Sequence, residues 1–87
     1  MNTFFCLMAE FETSEIPLSA VCEKYFGLSL QKASQQARIQ GLPVPCYRGG
    51  SQKSQWLISA NDLADWIDYK KEQARHDWKR INGTNVA

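Results

Sequence analysis

At 87 residues the chain is long enough for one small domain with a single modest core. Its 44% hydrophobic and 11% aromatic shares exclude a disordered or fibrous class. No apolar run nears the ~20 residues that a bilayer span needs, because Glu10 and Glu12 interrupt the first one.

The net charge of +1 conceals a segregation. Acids sit at the front (Glu10, Glu12, Glu15, Glu23) and after Asp62, whereas the interval between holds only cations: Lys24, Lys32, Arg38, Arg48 and Lys53. Five cations can collect by chance, yet a basic centre on a nearly neutral protein points to a polyanionic partner. The opening MNTFFCLMAEF lacks the basic lead and small-residue cleavage site of a secretory signal, so the expected location is the cytoplasm. Cys6, Cys22 and Cys46 are odd in number and far apart, and only His76 accompanies them. That argues against a disulfide framework or zinc site, and each is expected to be a buried thiol.

In chain order, residues 3–11 satisfy two periods. Phe4, Cys6 and Met8 alternate like a strand, while Phe4, Leu7, Met8 and Phe11 match a helix; the strand is slightly preferred. Residues 12–15 read as a polar connection. Pro17 suits a first helical turn, and Leu18, Val21, Cys22 and Tyr25 form one apolar stripe, predicting a helix over 18–26 that Gly27 ends in the left-handed conformation.

Ser29 is a suitable N-cap for a second helix over 30–40, which no breaker interrupts before Gly41. Two helices joined by a short glycine-containing turn have helix-turn-helix spacing, although a plain helical hairpin has it too. Pro43 and Pro45 end the helical pattern. Residues 44–48 and 56–59 then read as a hairpin around the polar loop GGSQKSQ, the candidate wing. From Ser59, with Asp62 completing a capping box, a long helix runs to Asn82-Gly83. Its first half covers the core, and Leu63, Trp66, Ile67, Ala74, Trp78 and Ile81 recur at helical spacing.

The fold class expected is therefore α+β, mainly α: a winged helix-turn-helix with a short β-hairpin wing and a long C-terminal helix. One domain spans 1–83, with a tail over 84–87.

In the second helix Leu30, Ala33 and Ala37 are expected to face inward, leaving Gln31, Gln35 and Arg38 on the opposite face, flanked by Lys32, Ser34 and Gln36; Ser29 at the helix start is expected to join Gln31, Lys32, Ser34, Gln35 and Arg38 as a DNA contact. Glutamine can bond adenine bidentately and arginine guanine, each pairing worth ~1–3 kcal/mol of discrimination. An ordinary solvated face would more often mix Glu with Lys. Arg48, Ser51, Gln52, Lys53 and Ser54 in and beside the wing offer donors without carboxylates, which suits phosphates or a minor groove. An ordinary polar hairpin loop looks similar.

Catalysis has little support. His76 has no nucleophile tied to it, Asp62, Asp65 and Asp68 fit the start of a helix, and GGSQKS lacks phosphate-loop spacing. No catalytic residue, metal or cofactor is expected. Trp56 and Trp66 are expected at the centre of the core, and Trp78 with Ile81 as a contact for a partner or a second copy.

Taken in order, the blocks MNTFFCLMAEF, IPLSAVCEKYFGLS, LPVPCYR, SQKSQWLI and DLADWID resemble the pyocin activator protein PrtN family to about residue 72, with likeness also to excisionase and AlpA-like small regulators. The resemblance implies transcriptional activation of bacteriocin or prophage genes by binding upstream double-stranded DNA; contact with RNA polymerase is the expected route to activation. A homodimer or cooperative array on DNA is expected, since a small domain rarely holds a specific site alone. The alternatives are an excisionase-like DNA-bending factor and a protein-binding adaptor or inhibitor module.

Overall fold

A computed structural model describes residues 2–50 and 54–82. The element order is α1 (Thr3–Phe11), β1 (Glu15–Pro17), α2 (Leu18–Phe26), α3 (Leu30–Arg38), β2 (Tyr47–Arg48), β3 (Trp56–Ser59) and α4 (Ala60–Asn82). The described chain is mainly helical, with one small antiparallel sheet of order β1-β3-β2.

Residues 3–11 are a helix, not a strand. Asn2 caps it by accepting from the Phe5 N–H at 2.9 Å, and Glu12 closes it with φ 57. The helical period prevails because it is the one that can be buried: Leu7 is in the core, and Phe4, Met8 and Phe11 pack against it. Cys6 falls on the outer face and is exposed, so the expectation of three buried thiols holds only for Cys22 and Cys46. α1 lies along the first half of α4, and the Thr3 hydroxyl donates to Asp68.

The stretch read as a connection contains β1. The Glu15 N–H donates to Thr13 Oγ1 at 3.1 Å, turning the chain so that Glu15, Ile16 and Pro17 pair with Ser59, Ile58 and Leu57. Pro17 is then the N-cap residue of α2 rather than part of its first turn. Leu18, Val21 and Cys22 are buried as the stripe requires, and Gly27 ends the helix at φ 66, where a Cβ would be strained.

Ser29 caps α3, accepting from the Lys32 N–H at 3.3 Å. The helix stops at Arg38, short of the expected 40. Gln40 turns left-handed at φ 53, and the Ile39 and Gly41 N–H groups share the Gln36 carbonyl. Ala33 and Ala37 are fully buried, whereas Leu30, expected inward, is 48% exposed, since it opens the helix at the rim of the body.

β2 is only two residues long. Val44 and Cys46 are buried in an irregular segment instead of a strand, because Pro43 and Pro45 interrupt it with residues that cannot donate to a ladder. The Gln40 side chain holds this segment by donating to the Cys46 carbonyl at 3.2 Å.

Ile16, Leu18, Val21, Ile58 and Leu63 form the centre of the core. Trp56 and Trp66 are not at that centre but packed on its rim, Trp66 edge-on to Tyr25 and Phe26. Ser59 begins α4 by accepting from the Asn61 N–H at 3.2 Å, one amide earlier than the capping box required. α4 buries Ala60, Leu63, Ala64 and Ile67, and residues 68–82 are all exposed. Ala74, Trp78 and Ile81 therefore continue the helical period without contributing to this core. Among the described residues no helix is long and apolar enough to cross a membrane.

Candidate nucleic-acid interface

The orientation of α3 follows from its two buried alanines. With Ala33 and Ala37 pinned inward, helical periodicity turns Gln35 farthest from the body, with Gln31 and Arg38 beside it. All three are exposed. Ser34 and Arg38 lean toward the hairpin, while Lys32 lies on the other flank with Gln36. Ser29 sits at the helix start, its hydroxyl engaged as the cap.

Between α3 and the hairpin runs a cleft of about 260 Å³, lined also by Leu18 and Ser19 at the start of α2. Of the residues singled out in the sequence, Ser34, Arg38, Arg48 and Ser54 line it together. Gln31, Lys32 and Gln35 lie on α3 outside it. Ser51, Gln52 and Lys53 fall outside the described residues.

The register brings Arg48 opposite Trp56, and its guanidinium carbon lies 4.3 Å from the ring centroid. This cation–π stack fixes a long side chain that would otherwise sample many rotamers. Leu18, Ser19, Leu30, Gln55 and Trp56 complete the lining. Gln55 belongs to the polar loop already noted, but Ser19 and Trp56 were not foreseen here. Their signal was the strand register and the packing of α2, neither of which is written locally.

Among the described residues no carboxylate lines the cleft. The nearest acid along the sheet, Glu15, accepts a hydrogen bond from the Tyr47 hydroxyl. Side chains alternate across a strand, so this pair occupies the sheet face opposite Arg48 and Trp56. The bond to Glu15, then slight desolvation and the nearby negative charge, hold the phenol of the exposed Tyr47 above its ordinary pKa. Among the described residues, the guanidinium groups of Arg38 and Arg48, the hydroxyls of Ser19, Ser34 and Ser54 and the Gln55 amide thus meet in one recess without an acid, a donor set that can bind phosphate oxygens.

Trp78 and Ile81 lie far along α4, at 58% and 68% exposure, and no part of the cleft involves them. Among the described residues no three His, Cys, Asp or Glu side chains gather to hold a metal.

A family model described as pyocin activator protein PrtN matches residues 3–74, and the chain belongs to that family. The match runs from α1 through α3 and the hairpin into α4, ending before Trp78. No curated protein and no solved structure matches the chain.

Proposed function

From the chain's membership of the pyocin activator protein PrtN family, we propose that it is a sequence-specific DNA-binding activator of bacteriocin or prophage genes. In this reading α2 and α3 form a helix-turn-helix, β2 and β3 form its wing, and α3 enters a major groove with Gln31, Gln35 and Arg38 toward the base edges. Arg48 and Ser54 contact the backbone beside it, and activation follows from contact with RNA polymerase. The family is one of activator proteins rather than enzymes, which agrees with a role exerted by binding.

The observation that carries the reading is the convergence of Arg38 and Ser34 from α3 with Arg48 and Ser54 from the hairpin in one cleft that no carboxylate lines among the described residues. A duplex needs such a continuous donor surface, whereas cations scattered around a domain would serve only solubility.

Selection from a random DNA pool tests it. The wild-type chain should enrich a defined sequence, and replacing Gln35 and Arg38 together with alanine should abolish that enrichment while the circular dichroism spectrum is retained. Unchanged enrichment would remove α3 from base recognition.

A further inference from the structure

The exposed half of α4 bears a stripe that the cleft does not use. Beside its buried portion lies a groove of about 430 Å³ walled by Phe26, Leu28 and Pro43, with Trp66 and Lys70 of α4 along its edge. Following that edge outward at helical spacing gives Gln73, Ala74, Asp77 and Ile81, all exposed. A helix whose last turns touch no other element has little to stabilise it in water, so a cover for this face would stabilise it.

We propose that the cover is a second copy of this chain, its α4 lying antiparallel along the stripe. The stripe is complementary to itself under a two-fold axis passing between Gln73 and Ala74. Trp66 then opposes Ile81 of the second copy, Lys70 opposes Asp77, Gln73 opposes Ala74, and symmetry repeats each pairing. Ile81 reaches the apolar groove beside Trp66, which hides a residue otherwise 68% exposed. Ala74 at the axis lets the helices approach closely.

Charge selects the direction. In a parallel, in-register pair Lys70 would face its own twin and Asp77 its own, a repulsive arrangement that the antiparallel pair converts into two attractions. Asp77 already meets Arg80 at 3.6 Å, but that pair is exposed and exchanges at little cost. The outward face of α3 stays uncovered, since Gln36 is the only residue of α3 that borders the groove.

Sedimentation equilibrium without DNA tests the pairing separately from nucleic-acid binding. The wild-type chain should dimerise at micromolar concentration. Lys70→Asp and Asp77→Lys should each weaken the dimer by about tenfold or more, and the two together should restore it, because the attraction is only reversed in sign. Both side chains are exposed, and recovery in the double variant also shows that the single ones had not simply misfolded. A wild-type monomer throughout, single reversals without effect, or a double variant that stays dissociated would each overturn the proposal.

Discussion

Arg48 shows how a side chain acquires a direction from a neighbour distant in sequence: its guanidinium is held over Trp56 because the two residues face each other across the hairpin. Replacing Trp56 with leucine keeps apolar bulk but removes the ring. DNA affinity should fall by a few fold, in line with a cation–π contribution of about 0.5–1 kcal/mol at a partly exposed site. A gel shift of the variant checks this, and unchanged affinity would show that the stack does not position Arg48. The cysteines also divide by environment. Burial pushes the Cys46 thiol up and Cys22 lies in the core, whereas Cys6 is open to solvent. Iodoacetamide should therefore add one group per native chain, as read by intact mass, with the other two thiols protected. Gly27 was legible because its role is local: at φ 66, with nothing within 4 Å of an added Cβ, alanine should cost about 1 kcal/mol from the backbone alone, measured by urea unfolding. Leu30 was not, since its exposure depends on where the first turn of α3 meets the rim.

At the scale of elements, α2, α3, β3 and α4 could be read because each carries a strong local signal: the Leu18 stripe, the Ser29 cap, the WLIS run and the period from Leu63. α1 satisfied two periods, and only its contact with α4 decides between them. β1 escaped because three residues, one charged and one proline, carry no alternation; it is a strand only because β3 lies beside it. The two halves of α4 differ in what holds them. Ile67→Ala should destabilise the fold by about 2–5 kcal/mol, whereas Ile81→Ala should leave monomer stability within about 0.5 kcal/mol. Urea unfolding at low concentration, where the dimer is dissociated, separates the two. Equal losses would mean that the distal half contributes to the monomer core.

For the whole molecule, the sequence located the cationic segments but not their meeting point. Lys32, Arg38 and Arg48 share an acid-free interval, yet that interval could have wrapped around a core and scattered them. Burial of Ala33 and Ala37 turns α3 outward, and the central position of β3 places the hairpin beside it, so Arg38 and Arg48 line one recess. Lys32 remains on the other flank: helical periodicity separates it from Ser34, but which flank meets the hairpin is set by the sheet and not by any local pattern. The molecule measures 55 × 26 × 16 Å, elongated well beyond its width, and residues 68–82 of its longest helix are exposed. In the proposed function this recess and the adjoining face of α3 form a single duplex-binding surface. The salt dependence of DNA binding reads that surface out, comparing the wild type with the variant carrying alanine at both Arg38 and Arg48. Each phosphate contact contributes a slope of about −0.9 in log affinity against log salt. The wild-type affinity should fall steeply with salt, and the variant should bind more weakly with a slope shallower by about one to two contacts. Binding by the wild type that is indifferent to salt, or identical slopes for the two proteins, would mean that the recess is not a duplex-binding surface.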